Sequence, residues 1–518
     1  MEMARADGPN EQKIKHPLTK GSKLCMIDIR NIHTNFREEI TMPKITFMGA
    51  GSTVFAKNVL GDSMMTPALE NSTIALYDID GQRLNESKLM LETINRNNGS
   101  KAKIEAYLGV EQRKDALRGA NYVVNAIQVG GYEPCTVIDF EVPKRYGLRQ
   151  TIADTLGIGG IFRALRTIPV MLDFARDMEE VCPDALFLNY TNPMAMLSGA
   201  MQRATGIKTV GLCHSVQVCC EGLLRELNME YDEKVQWKIA GINHMAWLLE
   251  VSKDGVDLYP EIKRRALLKN QGKLPQPPIE EVLERARKEH GGELSQEAEQ
   301  HLREQHELYE KYGKHGDMVR LELMRRFGYY ITESSEHNSE YGPYFIKAKY
   351  PELIDRFNIP LDEYPRRCVN QIARWDKQRD ELLANHNLTH VRSREYASYI
   401  MEAMETNQPF KFGGNVLNTG LITNLPSNAC VEVPCMVDKS GVVPTYVGAL
   451  PEQCAALNRT NINVQLLTIE AALTLKKDYI YQAAMLDPHT AAELSIDDIV
   501  AMCDDLIAEH GDWLPKYH

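Results

Sequence analysis

Nowhere in its 518 residues does the chain hold an uninterrupted apolar run of about eighteen residues, so no helix is expected to cross a membrane. The N-terminus shows no apolar core of the kind a secretory signal carries. The eleven cysteines are scattered, odd in number and without a CxxC pair, which argues against a disulfide framework and fits reduced thiols in the cytoplasm. Lysine and arginine form no dense basic stripe and the formal net charge is −12, so nucleic acid is not an expected partner. The acidic balance serves solubility.

What is present is an ordinary globular composition, 43% hydrophobic and 25% charged, in a chain long enough for two or three domains. Residues 1–41 are polar and aperiodic and read as a disordered N-terminal extension. The pattern changes at Met42. Lys44-Ile45-Thr46-Phe47-Met48 runs into Gly49-Ala50-Gly51-Ser52, then a helical stretch, then a second strand over Thr73–Tyr77 that closes on Asp78-Ile79-Asp80. This is the order of a dinucleotide-binding βαβ unit. Glycines admit a pyrophosphate, the helix N-terminus supplies N–H groups, and an acid at the next strand end holds a ribose hydroxyl. The position of the third glycine is Val54, and the competing reading is a tight strand-to-helix turn. Asp78 favours NAD over NADP, because a carboxylate repels a 2′-phosphate. The alternation continues through a helix near 82–97 and strands near 103–107 and 122–126, placing Asn125 beside the expected nicotinamide.

Three polar clusters then follow short apolar runs of the kind buried parallel strands need: Asn189-Tyr190-Thr191-Asn192-Pro193, Gly211-Leu212-Cys213-His214-Ser215 and Gly241-Ile242-Asn243-His244. Ligands of open α/β sheets bind outside the carboxyl ends of the strands. A thiol and two imidazoles there can hold a divalent metal with positions left open, although a buried cysteine is also simply a small hydrophobe. Ahead of the first strand of this series, Asp154-Thr155-Leu156-Gly157-Ile158-Gly159-Gly160 precedes a helix expected over 161–181. Its glycines either seat a polar group or permit close packing. A charged helical insertion is expected at about 260–315.

These motifs, with Tyr132-Glu133-Pro134-Cys135, Thr332-Glu333-Ser334-Ser335-Glu336-His337 and His510-Gly511-Asp512-Trp513-Leu514-Pro515, resemble glycoside hydrolase family four, most nearly its melibiase branch of NAD- and manganese-dependent α-galactosidases. The resemblance runs from Met42 to the C-terminus. It implies a Rossmann-like doubly wound parallel sheet of the lactate/malate dehydrogenase type over 42–240, then an α+β catalytic domain over 241–518. It also implies a redox route. NAD takes hydride from C3 of the sugar, a base removes the acidified C2 proton while the metal stabilises the enediolate, the aglycone is eliminated, water adds, and the hydride returns. The two-carboxylate scheme of most glycosidases does not apply to this family.

By the same resemblance, Cys213 and His244 match the metal ligands, Asn192 the substrate asparagine, and Asp154 an acid that raises the basicity of the catalytic base. Gly49, Gly51, Ser52, Asp78 and Asn125 fall to NAD. Where relatives acting on sugar phosphates carry an acidic general acid, this chain has His214, which can transfer that proton, contact the metal or orient a hydroxyl. Asp317 is the first candidate for the base, with Arg320 on a sugar hydroxyl; Tyr329 and Tyr330 stay open as bases, and Asp317 can equally be a helix N-cap.

The expected activity is hydrolysis of terminal α-galactosides by a homo-oligomer, a dimer or tetramer. The resemblance implies an arginine near 138–141 in relatives acting on sugar phosphates, and its absence here favours a neutral sugar. The alternatives are an α-galacturonidase or α-glucosidase of the same family, an NAD-dependent 2-hydroxyacid dehydrogenase, in which Cys213 and His244 have no role, and a non-enzymatic NAD sensor.

Overall fold

Short, largely apolar runs separated by helices build a sheet that helices cover on both faces. In the computed structural model, which describes residues 42–289, 292 and 294–518, the side chains of 289, 376 and 377 excepted, the first six strands are β1 (Lys44–Met48), β2 (Thr73–Asp78), β3 (Lys103–Leu108), β4 (Tyr122–Asn125), β5 (Leu186–Asn189) and β6 (Lys208–Leu212). They pair in parallel in the order β3-β2-β1-β4-β5-β6, the Rossmann-like doubly wound arrangement. The expected extension over 1–41 lies outside the described residues.

The seventh strand corrects the expectation of one more parallel strand. β7 (Val235–Ile242) runs antiparallel to β8 (Met245–Lys253) and to β12 (Cys430–Asp438), and β11 (Phe410–Leu417) runs antiparallel to β6. Only Asn243 and His244 connect β7 to β8, and so short a connection joins antiparallel strands alone. An apolar run carries no direction, which is why the pattern misled. The sheet continues through β11, β12, β7, β8 and β10 (Tyr330–Ile331), with β9 (Val256–Asp257) and β13 (Gly441–Pro444) beside it, so residue 240 falls inside a strand of one shared sheet.

One register row crosses that sheet from Met48 through Asn125, Asn189, Gly211, Asn415 and Glu432 to Gly241. Residues in register face the same way. The row is a buried polar layer, in which Asn125 Nδ2 donates to Asn189 Oδ1 at 2.9 Å and Asn415 Nδ2 to Glu432 Oε1 at 2.9 Å. A Cβ at Gly211 would collide with Met194, Ser198 and Asn415, so this strand crossing admits only glycine. The amides fix the strand ends on which the site stands.

The helix expected from Ile161 begins at Gly157 and runs to Val181. Gly159 and Gly160 belong to its first turn, where a Cβ would come within 2.5 Å of Ala153 O and 2.6 Å of Thr155 C respectively. Close packing against the Asp154 turn is thus what these glycines permit. The charged insertion forms the helices Tyr259–Asn270, Ile279–Glu289 and Gln296–Tyr312. Among the described residues no helix is long and apolar enough to cross a membrane.

Candidate active site

The turn after β1 is shaped for close approach. Gly49 sits at φ +88°, and the N–H groups of Gly49 and Ala50 both donate to Tyr77 O at 3.0 Å. Gly51 N–H donates to Asp78 Oδ2 at 2.6 Å, and Asp80 N–H to Asp78 Oδ1 at 2.9 Å. The acid at the end of β2 therefore touches the glycine turn itself. Ser52 precedes the helix Thr53–Met64 without a side-chain cap bond, and Val54 is 45% exposed, so the position of the missing third glycine packs against nothing that would demand one. Asn125 does not reach open crevice: it is fully buried, its Nδ2 shared between Asn189 and Thr191.

Two groups of ligand-type side chains share His244. Cys213, His244 and Glu333 offer atoms within 4.8 Å of one another, and so do Asp154, His244 and His337. His244 occupies the β7–β8 turn at φ +63°, and Glu333, just past β10, sits at φ +64°. Left-handed conformations cost a non-glycine residue roughly 1–3 kcal/mol and concentrate at ligand clamps. Burial holds His244 below its usual range although Glu333 pulls the other way, which leaves a neutral imidazole able to ligate. Tyr341 hydroxyl lies 3.2 Å from His244 Nδ1 and orients the ring.

Burial opposes a charge on His337, but Asp154 and Glu333 outweigh it and push the imidazole up to about 9. Burial likewise opposes charge on Asp154, and His337, 3.5 Å away, nevertheless holds it well below the usual carboxylate range. His337 thus keeps its proton against Asp154. The group left to hold a metal is Cys213, His244 and Glu333. Burial, then the charges of Glu432 and Glu333, push the Cys213 thiol far up, so ligation as a thiolate requires the charge of a bound cation. One sulfur, one nitrogen and one carboxylate oxygen suit a divalent ion with open positions.

His214 and Asp317 belong to separate clusters. His214 follows Cys213 at the start of the helix His214–Glu226, its Nε2 2.6 Å from Glu395 Oε2 and its ring 6.3 Å from that of Phe55 in the first turn after the glycine loop. Burial lowers its basicity, but Glu395 outweighs burial and raises it above the ordinary histidine value. Asp317 makes no cap bond to the helix Met318–Phe327. Its Oδ1 accepts from Arg320 Nε at 2.5 Å and Ser335 Oγ at 3.3 Å, and its Oδ2 from Tyr330 hydroxyl at 2.7 Å. The adjacent Tyr329 packs edge-on against Tyr259, 5.8 Å away, on another side. Asn192 lends its Oδ1 to Met194 N–H at 3.2 Å.

The fold therefore brings Cys213 and His244 together, adds Glu333, and gives Asp154 a histidine partner rather than Asp317. Glu333, His337, Tyr341 and Glu395 are what reading the sequence did not resolve. Glu333 and His337 carry a faint signal, two ligand-type residues four apart; Glu395 has none.

A family model described as Family 4 glycosyl hydrolase matches residues 44–229, and one described as Family 4 glycosyl hydrolase C-terminal domain matches residues 239–490. The chain is 63% identical over 476 residues to an alpha-galactosidase of Bacillus subtilis (strain 168), spanning 92% of this chain and 100% of that protein. It is 32% identical over 483 residues to an alpha-galactosidase of Rhizobium meliloti (strain 1021), spanning 92% and 89%. The solved structure of a 6-phospho-alpha-glucosidase from gut microorganisms, in complex with NAD and Mn2+, has a TM-score of 0.71 to this one at 20% identity, over 92% of this chain and 100% of that one. That last likeness concerns the fold.

Proposed function

The chain belongs to family 4 of the glycosyl hydrolases, and from that membership we propose how its residues divide the work of an α-galactosidase. It hydrolyses α-galactosides. The observation that carries the account is the meeting of Cys213, His244 and Glu333, with Cys213 next in sequence to His214, whose ring contacts Phe55 in the first turn after the glycine loop. Gly49, Gly51 and Ser52 would hold NAD, with Asp78 for its ribose, and Cys213, His244 and Glu333 would hold Mn2+ or another divalent ion. When bound, the two supply hydride exchange at C3 and Lewis acidity at the neighbouring oxygens, which makes the C2 proton removable.

The chain's own residues do the rest. Asn192 holds a sugar hydroxyl. Arg320 takes another, and in doing so loosens its ion pair with Asp317, whose carboxylate then accepts the C2 proton. His214 donates a proton to the departing aglycone. Because Arg320 is matched by Asp317, it offers no spare cation to a sugar phosphate, which supports neutral substrates of the melibiose and raffinose type. The ten described cysteines are all free, which supports work in a reducing cytoplasm. Val369 and Ile372, each 52% exposed on the helix Glu363–Ala384, support a homo-oligomer, dimer or tetramer.

Exchange of C2 hydrogen with D2O tests the base. Asp317→Asn is expected to abolish C2 exchange while substrate and NAD still bind. Exchange retained in Asp317→Asn would remove the role from Asp317.

A further inference from the structure

Glu395 is 8% exposed, and both of its oxygens are engaged: Oε2 lies 2.6 Å from His214 Nε2, and Oε1 accepts from the Tyr190 hydroxyl at 2.5 Å. That hydroxyl also accepts from Ala397 N–H at 3.2 Å, and the Tyr190 ring stacks on the His214 imidazole at 5.7 Å and 28°. The chain leading to Glu395 is fastened by a second buried carboxylate. Asp62, fully buried in the helix after the glycine loop, accepts from Ser393 N–H and from its hydroxyl, both at 2.7 Å, and pairs with His390 Nε2 at 2.6 Å. Ser393 Oγ in turn accepts from Glu395 N–H at 3.1 Å. The carboxylate is thus fixed from both sides.

Stability does not explain the arrangement. The His214 side chain is 52% exposed, and an ion pair with so exposed a partner contributes little, whereas keeping a carboxylate out of water is costly. With Nε2 committed to Glu395, the imidazole Nδ1 has no protein partner among the described residues, and it lies one residue from Cys213.

We propose that Glu395 is the positioning residue of the leaving-group step, holding His214 by Nε2 so that Nδ1 carries its proton to the aglycone oxygen. The role extends the elimination chemistry set out above and rests on it. As the C1–O bond breaks, its electron pair goes to the aglycone oxygen, which takes the Nδ1 proton. The pair left at C2 by the lost proton becomes the C1=C2 bond, and His214 is left neutral. Water adding at C1 gives up a proton to the same nitrogen, which restores the ring, while the C1=C2 pair returns to C2 and takes back a proton from the base. The step consumes no oxidant or reductant, and the fixed Nε2 contact keeps one nitrogen available throughout, as the orienting carboxylate of a catalytic triad does for its histidine.

The test compares two α-galactosides in Glu395→Gln, which keeps the shape and removes the charge. With melibiose the leaving sugar alcohol must be protonated as it departs; with p-nitrophenyl α-galactoside it need not be. The expected result is a fall in kcat/KM of about 100-fold on melibiose and no more than about threefold on the nitrophenyl substrate. Deuterium is also expected to enter C2 of unreacted melibiose in D2O, because a slowed departure lets the deprotonated sugar return. The ratio between the two substrates is independent of how much enzyme is folded. An unchanged ratio, whether both activities fall together or neither falls, would overturn the role of Glu395. Galactose released by the unaltered enzyme without C2 deuterium would instead overturn the elimination chemistry and take this role with it.

Discussion

Replacing Glu340 by glutamine perturbs the turn that carries Asp154 at the one place where the structure lets the cost be worked out. Glu340 is 2% exposed; its Oε2 accepts from Thr151 N–H at 2.6 Å, its Oε1 from Ala153 N–H at 2.8 Å, and Ile152 N–H lies 3.3 Å from each oxygen. Ala153 adopts φ 53°, a conformation alanine avoids and these bonds hold in place. Glutamine has one accepting oxygen and an NH2 that only donates. One backbone N–H and the new NH2 would then face each other without acceptors in a site closed to water. At about 1–3 kcal/mol for each unsatisfied buried group, the variant should lose roughly 2–6 kcal/mol locally. Thermal unfolding should fall by several degrees, hydrogen exchange at Thr151 and Ala153 should quicken, and turnover of an aryl α-galactoside should drop as Asp154 leaves His337. An unfolding midpoint within ~1 °C of the parent, with unchanged exchange at those amides, would refute the reasoning.

Cys213→Ser should lose Mn2+ retention and metal-dependent turnover while NAD still binds, because the thiolate lies apart from the glycine turn; equilibrium dialysis of both ligands checks this, and simultaneous loss of NAD binding would count against the assignment. Burial pushes the Glu432 carboxyl up to about 7 against the opposing hydrogen bond from Asn415. Since the folded chain holds that proton more tightly than the unfolded one, the contribution of this group is greatest below the ordinary glutamate range and is lost as pH rises through about 7. The urea midpoint should therefore decline less across that window in Glu432→Gln than in the parent, and parallel declines would sink the idea.

Much of the fold was legible because its signals are local. The βαβ unit announces itself in Gly49, Gly51 and Asp78, and the structure joins Gly51 to Asp78 by a direct hydrogen bond. Cys213 and His244 were found by motif and do meet. What stayed hidden depends on tertiary placement. The direction of β7 is set by the turn at Asn243-His244, and a run of apolar residues reads the same either way. Glu333 joins Cys213 and His244 only because β10 pairs with β8 and brings the segment just after it beside His244. Tyr329 and Tyr330 look equivalent in sequence, yet Tyr329 lies just before β10 and packs on Tyr259, and Tyr330, the first residue of the strand, is the one that meets Asp317. Glu395 is 181 residues from His214, with no periodicity to link them.

The measurement that bears most directly on the account is hydrolysis of an aryl α-galactoside in D2O with NAD, Mn2+ and a reductant present, followed by NMR of the released galactose. Deuterium at C2 is the predicted result, since removal of that proton is the step the crevice is arranged to permit. Galactose released with C2 protium intact would contradict it.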